Sequence, residues 1–343
     1  MEMIIEKQFA EIRTLIQKAK TNAFHAVNVH LIDLYHEIGK YISEKIKNAD
    51  WGEGIVNNLS EYLKRTEPEI KGFSAQNLWR MKQFYETYYS SEKLSPLVRE
   101  ISWTNNLIIL SKTNNEKERE FYLRLTISEK LSKRELERQI DSALFERIML
   151  SGKNISPKVR EIHPDAHLIF KDNYVFDFLA LPKKYSEGDL RKAIIENLKD
   201  FILEFGKDFS FIGEEYRLQV GQKDYFVDLL FYNRELQCLV AIELKINDFK
   251  PEYLGKLEFY LEALDRDVKK EHEKPSVGII LCKNKDTKVV EYALSRSVSP
   301  AMVSKYETSL FDKKLLEQKL DEFYSLAEPA ATYIIGNDEI KNK

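Results

Sequence analysis

Cysteine is nearly absent from this chain: two residues in 343, Cys238 and Cys282, each inside an apolar run. Two buried thiols far apart exclude a disulfide framework and a cysteine metal cluster. Long hydrophobic runs are missing too, since no segment approaches the roughly 20 consecutive apolar residues that a membrane helix needs. The amino terminus, MEMIIEKQFAEIRTLIQKAK, is interrupted by charge throughout and does not read as a signal peptide. The expectation is therefore a cytoplasmic protein without membrane association. Charge of one sign is also lacking. The net charge is -3 with 32% charged residues, and basic and acidic residues nearly balance within residues 1–150. No basic field announces nucleic acid, so any such contact must come from a local patch. Repeats and low-complexity stretches are absent. What remains is 43% hydrophobic content on a length sufficient for two domains with cores of their own.

The first 150 residues read as helix. Ile5, Phe9, Ile12 and Ile16, then Val27, Leu31, Leu34, Tyr35 and Ile38, fall at helical spacing, with Gly39 weakening the second run. Trp51-Gly52 marks a turn, and Ser132 with Glu135 forms the S-x-x-E pattern of a capping box. Within FSAQNLWRMKQFYETYY most aromatics follow the core spacing, while Arg80 and Lys82 lie outward on a helix preceded by Gly72. That arrangement is compatible with a helix-turn-helix or winged-helix element, and it makes Arg80 and Lys82 candidate nucleic-acid contacts. His25, His30 and His36 share one helical stretch, but no pair has the i, i+4 spacing of a metal site.

From about residue 167 the texture changes. A helix is expected from roughly Gly188 to Phe205, with Leu190, Ile194, Leu198, Phe201 and Phe205 on one stripe. Three strand-like runs follow, FSFIGEEYRLQV, DYFVDLLFY and LQCLVAIELKI, the last two joined as a tight hairpin through Asn233, Arg234 and Glu235. Then come a helix from about Pro251, a buried strand VGIILC, a helix from about Lys288 and a strand AMVSKY. The order α-β-β-β-α-β-α-β describes a mixed sheet with helices on its faces. The expected division is an all-α domain over 1–150, an α/β domain over 151–310, and a helix near Leu315 to Phe323 with a polar tail NDEIKNK over 311–343.

The third strand poses the chemical question. Glu243 and Lys245 interrupt a run, Leu239 to Ile246, that otherwise looks buried on both faces, where an unpaired charge is costly. Residues two apart share a face, so the two side chains lie together. Asp228 sits on the neighbouring strand; a hairpin closing at Asn233 to Arg234 sets it opposite residue 239 or 240, and twist with a small bulge would bring it towards Glu243. Two adjacent carboxylates repel, and an oxygen-seeking Mg²⁺ or Mn²⁺ relieves that repulsion while a lysine orients water or phosphate.

The pattern Asp228, Glu243-x-Lys245 on this hairpin resembles the PD-(D/E)XK nuclease signature with its α-β-β-β-α-β core. Across residues 10 to 310 the chain resembles the YhcG-like PD-(D/E)XK nucleases. The phrases YRLQVGQKDYFVDLLFYN, CLVAIELK, FKPEYLGKLEFYL and VGIILC carry the second half of the likeness, and VNVHLIDLYHEIGKYI, WGEGIVNNLS, GFSAQNLWRMKQFY, ISW and LSKRELERQI the first. The resemblance implies a restriction-endonuclease-like α/β domain behind a winged-helix-like recognition domain. It also implies metal ligation by Asp228, Glu243 and the backbone carbonyl of Leu244, with Lys245 orienting or helping to deprotonate the attacking water. Glu196, on the preceding helix, matches an acid that many members place beside the site. Related sequences often have Gln where this one has Lys256, a departure that still leaves a lysine able to contact phosphate, with Tyr260 one turn on as a further contact.

The function implied is metal-dependent endonucleolytic hydrolysis of DNA, leaving a 5′-phosphate, in defence, recombination or repair. The alternatives are a nucleic-acid-binding or scaffold protein whose nuclease fold is silent or partner-activated, and an RNA-processing nuclease. A homodimer is compatible with cutting both strands of a duplex from one site per chain.

Overall fold

The computed structural model describes residues 2–48, 51–150, 155–164 and 166–322. It divides into two compact units, Met1–Ile140 and Asp141–Lys343. The first is built from α1 (Glu2–Lys47), α2 (Glu53–Thr66), α3 (Ala75–Tyr88), α4 (Trp103–Lys112), α5 (Glu116–Glu129) and α6 (Lys133–Asp141). Its described residues contain no strand, so the β-wing of a winged helix is not found among them.

The later half of α1 packs by its apolar stripe. Tyr35 and Ile42 join Val56 of α2 and Leu78 and Met81 of α3 in one cluster. Gly39 earns its place there: a Cβ would lie 2.1 Å from the Met81 carbonyl oxygen. A residue that weakens a helix by about 1 kcal/mol thus lets two helices touch backbone to side. Ser74 caps α3, accepting from Asn77 N at 3.3 Å, and Ser132 N donates to Glu135 Oε2 at 2.6 Å ahead of α6. In α3, Leu78, Met81, Phe84 and Tyr88 are buried, as the helical spacing requires.

The second unit holds α7 (Leu144–Met149), α8 (Pro157–Ile162), α9 (Ala166–Ile169), β1 (Asn173–Val175), α10 (Glu187–Glu196), α11 (Leu198–Phe205), β2 (Phe209–Val220), β3 (Lys223–Asn233), β4 (Cys238–Asp248), α12 (Glu252–Ala263), β5 (Lys274–Asn284), α13 (Thr287–Ser295) and β6 (Ala301–Glu307). Six strands form one mixed sheet in the order β1-β6-β5-β4-β3-β2. β2, β3 and β4 run antiparallel to one another, and β4, β5, β6 and β1 run parallel. The expected element order holds, with additions, among them the short helices α8 and α9 that come before it. The single helix expected to Phe205 breaks at Asn197, whose Nδ2 donates back to Ala193 O at 2.9 Å and so competes with the helical ladder. The short strand β1 adds to the far edge beside β6.

Helices cover both faces of the sheet. Leu190, Ile194, Phe201 and Phe205 pack under Val240, Ile242 and Leu244, while Leu254, Leu257, Tyr260 and Val290 pack over Leu239, Ala241 and Ile280. Gly278 lets α12 lie close, because a Cβ would meet Leu257 Cγ at 2.7 Å. β4 is buried on both faces, which is why it reads as a nearly continuous apolar run. Arg147, 2% exposed, donates to Glu204 Oε1 at 2.9 Å and to Asn173 O at 2.8 Å, fastening α7 to α11 and β1.

Cys238 and Cys282 are free and buried, and burial pushes their thiols up to about 12 and about 11. Residues 313–322 are helical, in line with the helix expected from Leu315, whereas Phe323 and the tail NDEIKNK lie outside the described residues. Among the described residues no helix is long and apolar enough to cross a membrane.

Candidate active site

The hairpin register differs from the sequence expectation in a way that matters. β3 and β4 are joined by four residues, with Asn233 paired to Cys238 and Leu229 to Ile242. Asp228 therefore lies at the level of Glu243, not of residue 239 or 240, because the loop is longer than the tight turn expected from Asn233 to Glu235. Asn233 holds that loop, its Oδ1 accepting from Leu236 N at 2.8 Å. The ladder stops at Leu229, and the next inward N–H of β4, that of Leu244, donates to Asp228 Oδ2 at 2.8 Å. On the other side, β2 carries a register shift between Phe211 and Gly213, and Glu215, level with Asp228, has φ 43. The strands splay here, and acidic side chains occupy the opening.

Glu243 is 1% exposed. Its Oε1 accepts from Lys245 Nζ at 3.1 Å and from Lys256 Nζ at 2.5 Å, while its buried Oε2 has no hydrogen-bond partner in the protein. Lys245 Nζ also donates to Leu244 O at 2.9 Å and to Glu187 Oε2 at 3.1 Å, and it sits 5.4 Å from the centre of the Tyr253 ring. Burial pushes Asp228 above the ordinary carboxylate range, and the neighbouring Glu243 charge adds to the rise. For Lys245, burial works against the charge, but Glu243 and Glu187 outweigh it and hold the ammonium's pKa above its usual value. Lys256 is likewise raised: burial opposes, and its hydrogen bond to Glu243 prevails. Burial also raises Tyr260, whose ring lies 5.3 Å from Lys256 Nζ. The strand question thus has a local answer: two ammonium groups neutralise one oxygen of Glu243 and leave the other oxygen bare.

Of the sequence candidates, Asp228, Glu243, Leu244, Lys245, Lys256 and Tyr260 come together here. Glu196 does not. It ends α10 with 63% of its side chain exposed, 4.0 Å from Lys192. The acid of α10 that reaches the cluster is Glu187, nine residues earlier, about 13.5 Å of helix rise away and on the opposite face at 100° per residue. Arg191, one turn after Glu187, extends the cluster, its Nη2 2.8 Å from Glu215 Oε1 and its Nη1 3.8 Å from Asp228 Oδ1. Sequence reasoning passed over Glu187, Arg191 and Tyr253. A signal existed for the first two: Ser186 and Asp189 form a capping box that starts the helix at Glu187, not at Gly188. In the first unit, Arg80 is exposed, whereas Lys82 is held by Glu86 at 2.8 Å and lies over the Trp79 ring.

A mixed sheet flanked by helices, with two carboxylates and a lysine where its central strands part, is the arrangement expected of a PDDEXK nuclease domain. Residues 167–321 match the YhcG PDDEXK nuclease domain and residues 11–147 match the DUF1016 N-terminal domain. The chain thus carries both of these domains, one after the other. It is similar to the Escherichia coli (strain K12) protein named "Putative nuclease YhcG", with 29% identity over 89% of this chain and 91% of that one. Among solved structures, a repair endonuclease from Pyrococcus abyssi aligns with a TM-score of 0.26 and 18% identity, over 37% of this chain and 50% of that one. A structure of EndoMS in apo form aligns with a TM-score of 0.25 and 17% identity, over 36% and 48%. This chain spans about half of each of those two.

Proposed function

We propose that the chain is a divalent-metal-dependent endonuclease acting on DNA, with Asp228, Glu243 and Lys245 as its working groups. The observation that carries the proposal is the bare, fully buried Oε2 of Glu243 beside Asp228. A buried carboxylate oxygen without a donor is costly, and a cation is the partner that two neighbouring carboxylates favour. The donors present, two carboxylates and the Leu244 carbonyl, fit Mg²⁺ or Mn²⁺, which keep several waters and accept substrate phosphate oxygens. Among the described residues no group of three or more acidic, histidine or cysteine side chains forms a closed cage.

When bound, the cation supplies charge to the scissile phosphate and acidity to a coordinated water. The chain's own residues do the rest. Lys245, fixed by Glu187, Glu243 and the Leu244 carbonyl, aligns the attacking water and stabilises the charge that develops on phosphorus-bound oxygen. Lys256 is half exposed, so it can turn from Glu243 to a phosphate. In-line attack leaves a 5′-phosphate. Arg80, exposed on α3, is the group of the first unit offered to the DNA backbone, and phosphate contacts make binding weaken as salt rises.

The test is cleavage of a labelled panel of duplex, nicked, branched and single-stranded DNA and of RNA, with Mg²⁺ or Mn²⁺, by the native chain and by Lys245→Ala. Metal-dependent cutting of DNA by the native chain alone is expected. Cutting confined to RNA would replace DNA as substrate, and equal behaviour of both proteins would remove Lys245 from the reaction.

A further inference from the structure

The first half of α1 is bare. From Phe9 to Val27 every residue is exposed, including Phe9 at 64%, Ile12 at 54%, Leu15 at 66% and Ile16 at 50%. Contacts to the rest of its unit begin at His25, 3.0 Å from Glu100, and at Asn28, which donates to Arg99 O and Ile101 O. A helix segment of this length with no packing is marginal in water, and its stability must come from burying an apolar face.

That face has a repeat. Ile5, Phe9, Ile12, Ile16, Ala19, Ala23 and Ala26 follow one another at spacings of 4, 3, 4, 3, 4 and 3, the seam of a two-helix coiled coil and narrower than the stripe of a helix lying on a globular core. We propose that residues 5–23 of α1 pair antiparallel with the same residues of a second copy of this chain.

Three features select that partner and direction. The seam is bulky at Phe9, Ile12 and Ile16 and small at Ala19 and Ala23, so an antiparallel copy sets Phe9 against Ala19 and Ile12 against Ile16, filling each layer evenly. A parallel copy would stack the bulky residues and then leave gaps between alanines. Charge agrees on balance: flanking the seam, Glu6 faces Lys20 of the copy on both sides of the two-fold axis, two attractive pairs against one facing pair of Arg13 side chains, and Leu15 faces its own counterpart. Length agrees as well. Pairing centred on residue 14 ends where α1 begins to dock, so the overlap of about 27 Å uses the bare segment and nothing else. Leu15 lies beside the seam; Phe24 lies off it.

The proposal does not depend on the reaction, and mass is its readout. Light scattering on the full chain at micromolar concentration should give twice the mass of one chain, and Ile12→Glu with Ile16→Glu should give one chain mass, with a loss of far-ultraviolet circular dichroism no greater than the freed segment of α1 accounts for. Glu6→Lys should weaken association by about tenfold or more, and adding Lys20→Glu should restore it. Arg13→Cys, next to the axis, should form an interchain disulfide on oxidation, with native Cys238 and Cys282 buried out of reach. A monomeric native chain, or a dimer that survives the double glutamate variant, would overturn the interface. A dimer lost in that variant but not cross-linked through residue 13 would overturn the antiparallel register.

Discussion

Replacing Lys245 by Met separates the catalytic role of this lysine from its structural one. The change removes donors to Glu187 Oε2, Glu243 Oε1 and Leu244 O. Stripping a buried ion pair of one partner costs about 3–5 kcal/mol when the survivor is left alone. Here Glu243 keeps Lys256 at 2.5 Å, and the methionine retains the alkyl stem in its buried slot. The expected loss is therefore nearer that of a single charged hydrogen bond, about 1–3 kcal/mol. For a unit of this size that corresponds to about 2–4 °C in Tm per kcal/mol. The rate effect is of a different order, because Lys245 acts where charge develops in the reaction, and kcat should fall on the order of 10²–10³-fold. Cleavage assayed well below the variant's Tm, beside a thermal melt, resolves the two. A folded Lys245→Met protein that cuts within about threefold of the native rate would refute the assignment.

Other perturbations report on different groups. Asp228→Asn should abolish cleavage while leaving Tm unchanged or higher. The Asp228 carboxyl is held above its usual range, so its contribution to stability is present below the unfolded-state pKa and is lost as pH rises through the folded-state value; at neutral pH its ionisation destabilises the fold, and melts in neutral buffer measure the relief. Glu187→Gln should lower the rate by about tenfold through a less well positioned Lys245, and Glu196→Ala should change it by less than about twofold; paired kinetics on both variants reverse that order if Glu196 is the acid that matters. Arg147→Met should cost about 1–3 kcal/mol in a denaturant melt, because buried Glu204 loses its closest cation but keeps Lys171 at 3.7 Å and the Val175 amide at 3.0 Å.

The legible parts of the molecule were those in which one short stretch of sequence fixes its own environment. β4 announced itself through an apolar run interrupted at Glu243 and Lys245, and the strands and helices around it follow from periodicity and caps. The opening between β3 and β4 was not legible in the same way. Whether Asp228 faces Glu243 or residue 240 depends on where the hairpin turns, through the four residues 234–237 instead of tightly through Asn233 to Glu235, a difference that no residue in DYFVDLLFYN declares by itself. Glu187 was missed for a similar reason, since one residue in the start of α10 decides whether it lies on the helix. Gly39 shows the opposite error: its helix-weakening character was read correctly, but its purpose appears only when α3 is seen against it.

The most direct measurement of the central claim is metal-dependent cleavage of an end-labelled DNA duplex by the native chain and by Glu243→Gln, with the product ends tested for ligation. The account predicts cutting by the native chain that needs Mg²⁺ or Mn²⁺, stops with chelator and leaves ligatable 5′-phosphates, and no cutting by Glu243→Gln. Cleavage that persists in chelator, or that survives the loss of the Glu243 carboxylate, would contradict it.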